Sequence, residues 1–208
     1  MREQTPKDRI RAAAHELVMQ FSIRSVSMDD IAAKVGMSKK TLYQYYKDKD
    51  ELIDAVVEEV LIHNKHHCEE DRKIAKNAIH EVFLSIDFLA EMFRSMNSSV
   101  IYDLHKYHPK AFQKFLKHKN EYIYNIIKNN IERGIKEEFY RSDINVEILS
   151  RYRVEIMLIP FNPDFTRILK STILEVEQEI ILHFLYGLVN LKGHKLILKY
   201  QEERKKAK

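Results

Sequence analysis

Only four glycines and four prolines occur in 208 residues. An all-β sandwich or a βαβ repeat needs many more turn-forming residues, so the shortage predicts long helices with few breaks. A single cysteine, Cys68, excludes an intramolecular disulfide and a cysteine-rich zinc module, and suits a reducing cytoplasm. A run of about 18 apolar residues, as a membrane-spanning helix needs, is missing. The polar start Arg2-Glu3-Gln4 does not read as a secretory signal. A soluble, cytoplasmic protein is expected. Catalytic signatures are absent too: no Glu is followed three residues later by His, as a di-iron bundle requires, and His15-Glu16 and His80-Glu81 do not continue to His-Glu-x-x-His. Gly187 and Gly193 build neither a Gly-x-Ser-x-Gly elbow nor a phosphate loop. No enzyme and no cofactor are expected.

What is present is the balance of a globular protein, 45% hydrophobic and 32% charged. At roughly 150 residues per domain, one large domain or two small ones fit. The net charge is only +4, with ten Lys/Arg against seven Asp/Glu in residues 1–50. The basic excess therefore concentrates in the first quarter of the chain, which is suggestive of nucleic acid but does not demand it.

Helix signals follow one another closely. Thr5 can cap a first helix, with Pro6 at its first position and Asp8 completing a capping box. Ile10, Ala13, Ala14, Leu17, Val18 and Phe21 then give one apolar face. Ser27-Met28-Asp29-Asp30 opens a second helix, with Ile31, Ala32 and Val35 inward and Gly36 stopping it. Ser38 can cap a third, in which Leu42 and Tyr46 share a face, and Asp48 with Glu51 opens a long fourth carrying Leu52, Ile53, Val56, Val57 and Val60. Further helices are expected from about Ala75 to Met96, from Ser99 to His108, from Pro109 to a close at Gly134, and from Asp143 to Pro160. The next is expected from Phe165 to Asn190, with Gly193 separating a terminal helix that ends Arg204-Lys205-Lys206. The expected fold is all-α: an N-terminal three-helix unit with a helix-turn-helix (1–50) and a larger helical regulatory and dimerisation domain (51–208).

Ser27 to Tyr46 reads as helix, glycine turn, helix. The second helix of such a pair must be short, polar and basic outside, because it enters a groove about 12 Å wide lined with phosphates. Leu42 and Tyr46 face the core that Ile31, Val35, Leu17 and Phe21 are expected to build. Lys39, Lys40, Thr41, Tyr43 and Gln44 are left outward as donors for phosphate oxygens and base edges. Lys49 can reach the same backbone, and Ser27, at the head of the motif, joins the candidates. A basic face can also serve an acidic protein partner; sequence specificity separates that reading from DNA binding.

The run Ile31-Ala32-Ala33-Lys34-Val35-Gly36-Met37-Ser38-Lys39-Lys40-Thr41-Leu42-Tyr43-Gln44-Tyr45-Tyr46-Lys47-Asp48-Lys49-Asp50-Glu51-Leu52 resembles the DNA-binding signature of the TetR/AcrR transcriptional repressors. The resemblance covers about residues 5–60. It implies a dimeric repressor acting on a palindromic operator, with a C-terminal helical domain that binds an inducer. Ser38, Lys39, Lys40, Thr41, Tyr43, Gln44 and Tyr45 would then face the groove and Lys49 a phosphate. Asp29 stands where some members carry a basic contact, and that role is not carried over.

Downstream, Phe83, Phe93, Tyr102, Tyr122 and Tyr152 lie on or near inward stripes and are candidate lining for an unknown small-molecule inducer. Arg153 and Glu155 lie close to an apolar stripe and need partners if buried, from a polar ligand or a dimer-interface ion pair. Ile148, Leu149, Ile156 and Ile159, then Ile173, Leu174, Ile180, Ile181, Phe184, Leu185 and Leu188, spread too widely around helices 143–160 and 170–190 for one-sided burial, so a second copy is expected to cover them. His63, His66, His67 and Cys68 cluster, but they point at different angles from one helix, so no metal is expected.

Overall fold

A computed structural model describes residues 5–94 and 96–206, without the side chains of Pro163, Thr166 and Arg167. The start Arg2-Glu3-Gln4 lies outside the described residues. Twelve α-helices are found among them: α1 (Pro6–Phe21), α2 (Met28–Val35), α3 (Lys39–Tyr45), α4 (Lys49–Ile74), α5 (Ala78–Phe93), α6 (Val100–Tyr107), α7 (Pro109–Lys117), α8 (Tyr124–Lys136), α9 (Val146–Ile156), α10 (Pro163–Leu169), α11 (Ile173–Leu188) and α12 (Leu191–Lys206). The fold is all-α. Its described residues include one isolated antiparallel bridge, Tyr140 to Val189. No helix among them is long and apolar enough to cross a membrane.

The chain forms two compact units, and the first extends past the 1–50 segment read from the sequence: it holds the residues up to Asn64 and those from 96 to Lys117. Its core joins Ile10, Ala14 and Val18 of α1, Ile31 and Ala32 of α2, Leu42 of α3, Leu52, Ile53 and Val56 of α4, and Leu104 and Phe112 of α6 and α7. The caps form as the sequence predicts: Thr5 Oγ1 accepts from Asp8 N and Asp8 Oδ2 accepts from Thr5 N, so two otherwise unpaired amides are satisfied. Phe21 does not join this core and is half exposed. The helix ends at Ser22, whose φ is +77°, and Ile23 and Val26, which follow it, are buried in the core.

In the second unit, α5, α8, α11 and α12 contribute Ile79, Phe83, Ile86, Ile131, Ile181, Leu185 and Ile197 to one core. A polar knot ties α5 to α8. Arg133 donates to Glu81 (3.0 Å), Glu137 (2.7 Å) and the Ala75 carbonyl (3.0 Å), while Asn130 donates to Ala78 O and accepts from Tyr140 Oη.

Several helix boundaries differ from the sequence reading. Gly134 does not close its helix, which runs on to Lys136; the glycine lets the Tyr140 ring lie against the backbone, where a Cβ would come within 2.1 Å of it. Gly193 sits inside α12, and a Cβ there would lie 2.4 Å from the Phe139 carbonyl oxygen. The break before α12 comes at Val189 and Asn190, whose side chain accepts from the amides of Lys192 and Gly193. The helix expected over 165–190 is two, because Lys170 turns left-handed (φ 52°) and Thr172 with Glu175 forms a capping box for α11. Between α7 and α8 the chain passes through a π-helical segment, His118–Ile123.

Candidate nucleic-acid interface

The helix-turn-helix is fastened at each joint by its own residues. Ser27 Oγ accepts from Asp30 N at 3.2 Å; Asp30 Oδ2 accepts from the Ser27 hydroxyl at 2.6 Å and from Ser27 N at 2.8 Å, and these last two bonds hold the Asp30 carboxyl below the usual carboxylate range. Gly36 takes the left-handed conformation (φ 69°) that only glycine adopts without cost. Its N–H donates to the Ala33 carbonyl (3.1 Å) and Met37 N to Ala32 O (2.9 Å), which satisfies the end of α2. Ser38 Oγ then accepts from Thr41 N (3.1 Å) and lies 2.8 Å from Thr41 Oγ1. Arg9 of α1 donates to Val35 O (3.1 Å), fixing the first helix against the end of the second.

With both ends held, the faces of α3 are decided by helical spacing. Leu42 and Tyr46 are fully buried. Lys40, Tyr43 and Gln44, at spacings of three and four, share an exposed face. Lys40 and Gln44 make no hydrogen bond among the described residues, so an ammonium and a carboxamide are presented to solvent. Lys39 is exposed as well, but its Nζ lies 2.8 Å from Asp29 Oδ2, and this pair raises its pKa. Thr41 and Tyr45 are half-buried, Thr41 turned to Ser38 and Tyr45 packed against the core. The two serines, Ser27 and Ser38, spend their hydroxyls on caps while lying exposed at the heads of their helices.

Lys49 is placed differently from the rest. It is half-buried, and its Nζ donates to the carbonyls of Ile23 and Val26, with burial pushing its pKa down. The exposed ammonium on this stretch belongs instead to Lys47, whose side chain is 77% exposed. The Lys-x-Lys pattern held both lysines; periodicity could not say which one turns inward.

Residues 10–56 match the bacterial regulatory proteins of the tetR family. In this segment the chain is similar to the tetR family. It is 35% identical over 106 residues to an uncharacterized HTH-type transcriptional regulator, YvaF, of Bacillus subtilis (strain 168); the match covers 50% of this chain and 55% of that protein, so about half the length of the curated relative is spanned. A TetR-family regulator from Agrobacterium tumefaciens has a similar fold, with a TM-score of 0.72 at 13% identity over 88% of this chain and 97% of that one. FadR from Bacillus subtilis, solved with stearoyl-CoA, is similar at a TM-score of 0.60 and 15% identity over 86% and 98%. At these identities the structural likeness is one of fold.

Outside the segment matched to the tetR family, the five aromatic candidates are divided between the two units. Tyr102 belongs to the first unit, where it is exposed beside Lys106. Phe83 is buried against Tyr200 and lines a surface cavity of about 220 Å³ that none of the other four reaches. Phe93 packs edge-on to Phe161, Tyr122 donates to Lys65 O, and Tyr152, exposed, lies 6.3 Å from Phe184. Arg153 finds its partner within the chain, Glu177 of α11, while Glu155 stays exposed. In the histidine cluster, His67 stacks on Phe88 and lies 3.2 Å from Asp71, and burial pushes the Cys68 thiol up to about 11. Among the described residues no three His, Cys, Asp or Glu groups are placed to hold a metal ion.

Proposed function

We propose that the protein is a DNA-binding transcriptional repressor that binds a palindromic operator as a homodimer and is released by a small-molecule ligand held in its C-terminal part. The exposed face of α3, with Lys40, Tyr43 and Gln44 set opposite the buried Leu42 and Tyr46, carries this reading. An ammonium for phosphate, an amide for a base edge and an aromatic ring on one short capped rod suit the major groove. Residues 1–50 supply the groove-facing side chains, with Lys39 beside them and Lys47 rather than Lys49 meeting a phosphate. Residues 51–208 supply regulation and dimerisation.

Dimerisation is supported by apolar side chains left in solvent on the second unit: Ile148 and Tyr152 of α9, Tyr186 of α11, and Leu191 and Leu198 of α12. A two-fold axis through a self-complementary patch demands a palindromic site. The ligand reading draws support from FadR, solved with stearoyl-CoA. The protein works in the cytoplasm, needs no cofactor and catalyses nothing.

Selection of bound duplexes from a random pool tests the proposal. A palindrome with half-sites about 10 base pairs apart is the expected product. Equal affinity for the selected and a scrambled duplex would leave only a basic face for an acidic protein partner.

A further inference from the structure

Arg153 of α9 and Glu177 of α11 are both more than nine-tenths buried, and Arg153 Nη2 donates to Glu177 Oε1. The pair is incomplete. Arg153 Nη1 and Glu177 Oε2 are buried without a hydrogen-bond partner. Buried polar groups are nearly always satisfied, and the exceptions ask for an explanation, often an ion, a water or a ligand. Here one donor and one acceptor are left over on the same pair.

The surroundings set the chemistry. Ile173 and Ile181, four residues either side of Glu177 on α11, are buried, and Leu149 stands four residues before Arg153 on α9. The charges of the pair cancel, and the flanking Lys119 ammonium is answered by Glu155 at 3.8 Å, so a charged head group would stand uncompensated in a site removed from water. A group that accepts from Nη1 and donates to Oε2 while remaining neutral is a hydroxyl or a carboxamide. The flank is irregular too. The π-helical segment places Lys119, itself buried, with its Nζ on the Val154 carbonyl (3.3 Å), and Asn120 Oδ1 on the same segment is also buried without a partner. Such π-helical insertions recur at functional sites.

We propose that the Arg153–Glu177 pair is the polar end of the effector site, and that the effector has a neutral hydroxyl or carboxamide head on an apolar body. The inference rests on the reading of the protein as a ligand-released repressor and names the class of ligand.

The test titrates the full-length protein, without DNA, with octanol, octanamide, octanoate and octylamine by calorimetry. Octanol and octanamide should bind saturably, with the two charged analogues at least about tenfold weaker, equivalent to about 1.4 kcal/mol. Glu177→Gln leaves the guanidinium uncompensated and should invert the order so that octanoate binds best. R153M/E177M, which replaces the buried pair by apolar groups, should lose the head-group preference. Absence of saturable binding, no preference in the natural protein, or an order unchanged in both variants would overturn the inference and leave the two free atoms to a buried water. Operator selection is a separate measurement: its failure with octanamide binding intact would sink the repressor reading alone, and the converse would sink only the ligand class.

Discussion

Lys39 and Asp29 meet across the turn of the helix-turn-helix, with Nζ 2.8 Å from Oδ2 and both side chains more than half exposed. An exposed pair of this kind is worth little to stability, about 0–1 kcal/mol. It does hold a cation back from the face where phosphate would lie. Asp29→Asn should therefore strengthen DNA binding at low salt several-fold. It should also steepen the dependence of log affinity on log salt by up to about 0.9, the increment for one more phosphate contact. Fluorescence anisotropy over a salt series measures both, and an unchanged slope would mean that Lys39 meets no phosphate.

Tyr43→Ala and Gln44→Ala remove exposed side chains, so unfolding free energies should stay within about 0.5 kcal/mol of the parent. Operator affinity should fall by about 1–3 kcal/mol, with most of the loss confined to the preferred sequence. Lys40→Ala should instead weaken the selected and a scrambled duplex alike. Binding isotherms on both duplexes separate the two patterns, and Gln44→Ala with unaltered discrimination would remove that residue from base recognition.

Leu42 and Lys49 should behave as parts of the core. Leu42→Ala opens a cavity beneath α3 and should cost about 2–5 kcal/mol in a urea titration. Lys49→Met strips the Ile23 and Val26 carbonyls of their donor, at about 1–3 kcal/mol. Its DNA affinity, measured where the variant is fully folded, should be nearly that of the parent; a large drop there would return Lys49 to the phosphate backbone.

Acid should weaken the fold before its carboxylates titrate. Burial lowers the pKa of His15, His80, His108 and His118 below the ordinary 6.5. The unfolded chain thus binds protons at these four positions at a higher pH than the folded one, and stability falls as pH drops through 6.5 toward the folded values. Buried Glu81 and Glu177 act in the opposite sense, since their raised pKa values make the folded state the better proton acceptor above 4.5. Urea midpoints should fall between pH 7.5 and pH 5.5, and His118→Gln should flatten that decline; a midpoint that is unchanged or rises would contradict the shifts.

Two glycines in the C-terminal helices should respond oppositely to alanine. Gly187 of α11 has open space where a Cβ would go, so Gly187→Ala should stabilise by up to about 1 kcal/mol through helix propensity. Gly193 of α12 presses on the Phe139 carbonyl, and Gly193→Ala should cost about 1–3 kcal/mol or more through overpacking. Thermal melts of the two variants give the comparison directly.

Much of this was legible in the amino-acid sequence. Caps at Thr5, Ser27 and Ser38, the left-handed stop at Gly36 and the burial of Leu42 and Tyr46 follow from residues three or four apart, which is the range over which a helix organises itself. Thr172 and Glu175 carried the same signal for the break before α11, but the apolar run on either side masked it. Gly134 and Gly193 read as terminators because a glycine in a helix more often ends it than admits a neighbour. Their partners, Tyr140 and Phe139, are placed only once the chain turns back on itself.

The amino-acid order alone determined the all-helical character, the helix-turn-helix and the polar side of α3, because local hydrogen bonding and a single periodicity specify each. Tertiary packing decided which of two neighbouring lysines points inward and that Arg153 is answered by Glu177. Those outcomes depend on contacts between segments tens of residues apart, where no local pattern states the partner and burial selects it.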